Sequence, residues 1–285
     1  MPELPEVETI RRDLHAHLCG STINGLTVIH PAVIVGSVDC FTSALVGHRI
    51  VGSGRRGKVM WLNLDDGRAL AIHLRMSGQA LLVTKGAPRP PHTHLVADVG
   101  ANRELLYVDP RRFGRLEIID PSAPQASLLL RNIGPDALSA DLCAETLHTA
   151  ATGRRIGIKQ LLLDQTFMSG IGNIYAAEIL HRVPLCPDTP AGRVTRNEME
   201  RILEQARVVL GEAIDACGTT LADARYRSAL GRSGEFACML RVYGREGEPC
   251  RVEGCRATIQ RRVSGGRSTY LCPACQRAGR GRLAR

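Results

Sequence analysis

Val7, Ile10, Leu14 and Leu18 fall at the spacing of a helix with one apolar face, and Gly20 suits its exit. After this helix the period shortens. "KVMWLNL" and "RALAIHL" flank Asp65-Asp66-Gly67, and "THLVADV" and "ELLYVD" flank Gly100-Ala101-Asn102. Both arrangements are hairpin signals, and "RLEII" adds a further strand. Residues 1–120 therefore predict one N-terminal helix and an antiparallel β-sandwich or barrel. The Pro/Ser/Ala-rich stretch that follows, with "NIGPDALS", reads as a hinge over 121–134.

Beyond the hinge the pattern turns helical over 141–151 and 157–165, and "FMSGIGNIYAAEILHRV" reads as a Gly-rich turn opening into another helix. Thr195-x-x-Glu198 is a capping box ahead of a long amphipathic run. Residues 135–220 are thus expected to be a helical domain. "DARYRSALGRSGEF", within 221–240, has the composition of a mobile loop. In 241–285, "SGGR" between "TIQRRV" and "STYLC" predicts the tip of a closing hairpin. The whole is an α+β multidomain chain without internal repeats.

A chain of 285 residues is long enough for such a division. No apolar run approaches the roughly 18 residues of a membrane span, and no basic leader precedes an apolar segment, so a cytoplasmic location and no membrane partner are expected. The net charge of +9 is spread over several basic clusters, at Arg55, Arg56 and Lys58, at Arg111, Arg112 and Arg115, and at Arg154, Arg155 and Lys159. From Arg256 to Arg285 there are eight arginines and no acidic residue. That pattern suits a surface meeting phosphates from several directions. Of 37 Lys plus Arg only three are lysines, Lys58, Lys85 and Lys159. A lysine kept on such a background marks a site for chemistry or for a compact contact to phosphate. Lys85 lies in a loop-like stretch and needs neither.

Cys250, Cys255, Cys272 and Cys275 form C-x4-C and C-x2-C knuckles in this basic segment, a ligand set for one structural Zn2+. Two disulfides are the alternative, disfavoured in a reducing compartment. The opening "MPELPEVETI" raises a different chemistry. With Met1 trimmed, Pro2 presents a secondary amine, a nucleophile unavailable elsewhere in a chain. Glu6 and Glu8 in the first helical turn also suit the helix dipole without any catalytic role.

"PELPEVET", "RRGK", "HLRMSG", "DPRRFG", "GIGNIYAAE", "VYGREGEPC" and the cysteine module occur in this order over nearly the whole chain. Together they resemble the bacterial formamidopyrimidine-DNA glycosylase (Fpg) family. The resemblance implies a β-sandwich with an N-terminal helix, a helix–two-turn–helix domain and a β-hairpin zinc finger. It implies a monomer acting on damaged double-stranded DNA held across a cleft, hence a nucleoid-associated enzyme. The implied activity is a bifunctional glycosylase and abasic-site lyase for 8-oxoguanine and formamidopyrimidines. In that scheme Pro2 is the nucleophile, Glu3 the general acid, Glu6 a second carboxylate orienting the site, and Lys58 and Arg267 act in the eliminations. Met76, Arg111 and Phe113 fill the space left by an extruded nucleotide, and residues 221–240 cap the lesion. His73, His92, Arg111, Arg154, Lys159 and Asn173 contact DNA. On alternation alone, Met76 and Phe113 read as core, a reading the motif reverses, and His92 and His94 are equally readable as plain loop histidines.

Three features depart from the family pattern. They are the C-x4-C knuckle, Arg75 where a small residue is usual, and the arginine-rich capping segment. An endonuclease VIII-like enzyme for oxidised pyrimidines shares the fold and nucleophile, but "PELPEV" and "DPRRFG" speak against it. A non-catalytic damage-binding paralogue is marked by loss of Pro2, Glu3 or Lys58, and all three are present.

Overall fold

Helix α1 (Leu4–Leu18) starts on a reciprocal capping box between Glu3 and Glu6 in the computed structural model, which describes residues 2–100, 102–221 and 226–277. Pro5 lies in the first turn, where its missing N–H removes no helical bond. One face buries Val7, Ile10, Leu14 and Leu18 completely or nearly so. The strands that cover it are β1 (Gly25–Val28), β2 (Ile50–Arg56), β3 (Val59–Leu64), β4 (Ala69–His73), β5 (Gln79–Thr84), β6 (Thr93–Asp98), β7 (Arg103–Val108) and β8 (Arg115–Ile119). They form two four-stranded antiparallel sheets, in the orders β1-β6-β7-β5 and β2-β3-β4-β8. Leu62, Leu64 and Ile72 of one sheet share a core with Leu95, Leu105 and Tyr107 of the other and with the apolar face of α1. A second helix, α2 (Val38–Leu45), adds Phe41 and Leu45 to this core. On the outer face of β3 and β4, Val59, Ala69 and Ala71 pack against Leu129 and Leu130. Burial on both faces explains why "KVMWLNL" is almost continuously apolar instead of alternating.

The chain divides into two compact units, Met1–Ile133 with Ala213–Ala237, and Gly134–Glu212 with Cys238–Arg285. The second holds α3 (Ala144–Ala151), α4 (Ile158–Leu163), α5 (Asn173–Arg182) and most of α6 (Arg196–Asp215). Turns over 164–172 link α4 to α5. The capping box ahead of α6 forms as its sequence predicts. Glu198 Oε2 accepts the Thr195 N–H at 2.8 Å, and the Glu198 N–H donates to Thr195 Oγ1 at 3.2 Å. The closing hairpin pairs β9 (Gln260–Ser264) with β10 (Arg267–Leu271). Gly265 and Gly266 take φ of 56° and 73° at its tip, the left-handed pair that a two-residue turn needs.

The segment expected from its composition to be mobile is anchored where it is described. Tyr226 and Ala229 belong to the sandwich core, and Ala229 O accepts the Leu82 N–H at 2.8 Å. Arg232 pairs with Asp13 at 2.7 Å, and Phe236 is fully buried. Polar composition misleads here because a few apolar residues per turn anchor the segment. Residues 222–225 of that loop and 278–285 of the basic tail lie outside the described residues. No described helix is long and apolar enough to cross a membrane.

Candidate functional site

The residues singled out from the sequence fall into two sets, one on each unit. On the first, Pro2 and Glu3 are buried at the start of α1, with Glu3 only 2 % exposed. Glu6 fixes them. Its Oε2 accepts the Glu3 N–H at 2.8 Å and its Oε1 accepts the Thr219 N–H at 2.7 Å. Both oxygens of a buried carboxylate are thus engaged with backbone, which is the work of an orienting group. It ties the chain's first residues to the turn after α6. A Cβ at Gly218 would come within 3.0 Å of the same carboxylate, and Gly218 also has φ of 84°. That turn therefore requires glycine.

Lys58 is buried where β2 turns into β3, beside Gly57 at φ of 56°. Arg55 connects this turn to α1. Its Nε donates to Glu8 Oε2 at 3.1 Å and its Nη1 to Gly57 O at 2.9 Å. Burial would raise the Glu8 pKa, but hydrogen bonds from Arg11 and Arg12 and the charge of Arg55 outweigh it and bring it to about 2. Glu8 is therefore a permanent anion joining α1 to the turn that carries Lys58. The sequence offered Glu8 only as a carboxylate suited to the helix dipole and Arg55 only as part of a basic cluster. Arg11 and Arg12 pair with Glu8 at i, i+3 and i, i+4, whereas Arg55 lies 47 residues away, a separation no local pattern encodes.

Met76 and Phe113 are 43 % and 50 % exposed, so the core reading fails for both. The Arg111 guanidinium lies 4.7 Å from the Phe113 ring centroid. Their two loops share one clamp, the fully buried Asp109. It accepts Ser77 Oγ at 2.5 Å from the Met76 loop, and the Arg111 and Gly114 N–H groups at 3.2 Å and 2.8 Å from its own. A Cβ at Gly114 would sit 1.6 Å from the Tyr107 hydroxyl, so no larger residue fits. Arg75 and Arg112 take φ of 52° and 57° in these loops, and His92 takes 64° in the loop before β6. Left-handed non-glycine residues store strain, and such residues cluster at functional sites.

His73 accepts the Arg75 N–H on Nδ1 at 3.0 Å, so Nε2 is its donor. Burial, with Arg75 and Lys58 nearby, pushes its pKa down to about 3. At neutral pH it is therefore a neutral donor. The unfolded chain takes up this proton near pH 6.5 and the folded one does not. Stability then declines as pH falls from about 6.5 towards 3, by up to about 1.4 kcal/mol per pH unit from this group. A cationic contact releases counterions and a neutral one does not. His73→Gln should thus leave the slope of log Kd against log salt for duplex DNA unchanged, and a slope reduced by about one would show a charged imidazole. His92 is exposed in the loop before β6, whereas His94 stands on β6 itself, so the loop reading fails for it. His94 is buried, its Nε2 lying 2.7 Å from Asp109 O, and its ring packs edge-on to His30.

On the second unit Arg154 is exposed at the end of α3. Lys159 is only 2 % exposed, and its Nζ donates to Ser268 O at 2.9 Å and Thr269 Oγ1 at 2.8 Å. Asn173 Nδ2 donates to the same Ser268 O at 3.0 Å. Both hold the backbone immediately after Arg267, which is exposed at the hairpin tip. The structure therefore gives these two side chains a positioning contact to the hairpin that the sequence did not signal. Glu178, also on α5, accepts the Arg241, Val242 and Tyr243 N–H groups at 2.8–2.9 Å.

The four cysteine sulfurs lie within 4.8 Å of one another, with separations of 3.9 Å for Cys250–Cys275 and 3.7 Å for Cys255–Cys272 and Cys255–Cys275. A tetrahedron with Zn–S bonds of about 2.3 Å has edges of about 3.8 Å. The donor set fits zinc and not two disulfides. The longer C-x4-C knuckle is absorbed by a turn in which Cys255 N–H donates to Val252 O and Gly254 takes φ of 74°.

Three family descriptions match the chain. They are the formamidopyrimidine-DNA glycosylase N-terminal domain over residues 1–116, the formamidopyrimidine-DNA glycosylase H2TH domain over 133–224, and the zinc finger found in FPG and IleRS over 247–278. A curated formamidopyrimidine-DNA glycosylase of Paracoccus denitrificans is 40 % identical over 97 % of this chain and 100 % of its own. A Lactococcus lactis Fpg mutant in complex with Fapy-dG-containing DNA superposes with a TM-score of 0.89 at 33 % identity, covering 97 % of this chain and 100 % of that one. The same species' Fpg with abasic-site DNA gives 0.89 at 32 % identity and the same coverage.

Proposed function

The chain belongs to the formamidopyrimidine-DNA glycosylase family, and from that membership we propose that it excises 8-oxoguanine and formamidopyrimidines from double-stranded DNA and then cuts the strand. It works as a monomer in the cytoplasm, associated with the nucleoid. The observation that carries the mechanism is the fixed start of α1, where Glu6 holds the Glu3 N–H and so places Pro2 and Glu3 together.

The reaction begins when the Pro2 nitrogen bonds to C1′ of the damaged nucleotide and the bond from C1′ to the base breaks. Glu3 supplies the proton that this step needs, to the sugar ring oxygen or to the departing base. The amine then loses its N–H proton and its lone pair expels the ring oxygen O4′ from C1′, the oxygen taking up a proton; the product is an iminium, which has no N–H left to lose and remains a cationic electron sink. The adjacent C2′–H is thereby acidified, and its loss expels the 3′ phosphate. A second elimination expels the 5′ phosphate. Lys58, buried in the turn between β2 and β3, serves the first elimination. Arg267 cannot readily give up a proton, so it stabilises the leaving phosphate by charge. Extruding the nucleotide costs a few kcal/mol. Met76 and Phe113 fill the vacated stack, and Arg111, braced on Phe113, reads the orphaned cytosine.

The four-cysteine zinc holds the finger that presents Arg267. Residues 221–240 cap the extruded base. The deciding test is paired excision on two duplexes. 8-Oxoguanine opposite cytosine should be excised at least tenfold faster than thymine glycol, and the reverse order would place the enzyme with the pyrimidine-specific branch.

A further inference from the structure

Helix α5 carries a residue that neither the motifs nor the reaction uses. His181 is 2 % exposed, lying two turns beyond Asn173 and one beyond Glu178, on the side of α5 that serves the finger. Its Nε2 is 3.5 Å from Cys250 Sγ. Its Nδ1 is buried and has no hydrogen-bond partner among the described residues. A buried imidazole is costly unless it is bonded, and the polar contact recorded for this ring is to a zinc-ligand sulfur.

Both sides of that contact are held in place. Glu178, one turn earlier, grips the backbone over 241–243 through three N–H groups. Ala177 packs in the finger's own apolar cluster with Val242, Ile259 and Cys272. Cys250 N–H donates to Ala257 O at 2.9 Å, fixing the knuckle. The ring and the sulfur therefore meet through rigid elements of one unit.

Four thiolates around one Zn2+ leave two surplus negative charges on sulfur. A donor aimed at one of these sulfurs withdraws charge from it and makes it a poorer target for protons and oxidants. We propose that His181 donates its Nε2–H to the zinc-bound Cys250 thiolate and so slows loss of the metal, acting as a positioning residue of the finger and not as a fifth ligand. This inference rests on the zinc assignment and is independent of which lesion the enzyme prefers.

The experiment follows zinc transfer from the full-length protein to excess chelator, using a chromogenic zinc indicator. Outer-shell partners of metal ligands change affinity by about 10–100-fold. His181→Phe, which fills the space without a donor, should release zinc about tenfold or more faster than the unaltered protein. His181→Gln, which keeps an N–H donor at similar reach, should recover most of the difference. Equal release from the unaltered protein and His181→Phe would overturn the proposal.

A second measurement needs no variant. In protein reconstituted with cadmium-113, the His181 Nε2 proton should show scalar coupling to the metal across the N–H···S bond. Absence of that coupling, or a direct one-bond coupling between cadmium and Nε2, also overturns the proposal. The first outcome denies the contact and the second makes His181 a ligand.

Discussion

Protein in which Pro2 remains in peptide linkage will form no borohydride-trapped adduct with lesion duplex, and its strand cleavage will fall by at least about a thousandfold, the scale on which loss of a catalytic nucleophile acts. An N-terminally extended form, or material with Met1 retained, provides the test. The reason is valence. Pro2 acylated by a preceding residue is a tertiary amide whose lone pair is delocalised into a carbonyl, so it cannot attack C1′. Freed, it is an α-amine with a reference pKa near 8, roughly a tenth unprotonated at pH 7, where a lysine at about 10.4 offers far less. Pro2 is buried at the mouth of α1, with the following N–H already fixed by Glu6. A free terminus there is thus pre-positioned, and the saving in orientation is part of the rate. Extended protein, verified intact by mass spectrometry, that is still trapped at Pro2 at the rate of the trimmed form would refute the nucleophile assignment.

Local signals carried the parts of this fold that the sequence made legible. The Asp65-Asp66-Gly67 and Gly265-Gly266 turns, the capping box at Thr195 and the helical period of α1 each lie within a few residues of the structure they specify. The strand β2, "IVGSGRR", was not legible, because its two glycines and two arginines break the alternation. The structure shows why they are there. A Cβ at Gly54 would press to 2.5 Å on the Trp61 ring, and Arg55 reaches across to Glu8.

The same limit explains the site. Pro2, Glu3, Lys58 and the four cysteines stood out because their chemistry is unusual wherever it occurs. Asp109 did not, although it clamps the loops of both Met76 and Phe113, because one of its partners, Ser77, lies 32 residues away. Lys159 was noticed for its charge. What it does in the fold depends on Ser268, 109 residues away, a contact no local pattern encodes.

Glu3→Gln should separate the two halves of the reaction. Excision of 8-oxoguanine should fall by about 10²–10⁴-fold, the usual contribution of a positioned general acid. Cleavage and borohydride trapping at a preformed abasic site should stay within about tenfold of the unaltered enzyme. Glu3 occupies the N-cap of α1 and is almost completely buried, so its removal risks the helix as well as the chemistry. Glutamine keeps a side-chain acceptor at the same reach, which holds any capping loss to about 1 kcal/mol or less. Glu6 continues to grip the backbone N–H at position 3, which does not depend on the side chain there. What glutamine cannot do is deliver a proton. An abasic sugar has already lost its base and is open to the Pro2 amine without that proton, whereas an intact lesion is not. An equal fall on both substrates would mean that the carboxyl acts through Pro2 rather than on the lesion. No fall on 8-oxoguanine would remove Glu3 from the role of acid altogether. The thermal midpoint, measured alongside, tells whether either loss comes from a frayed α1 instead.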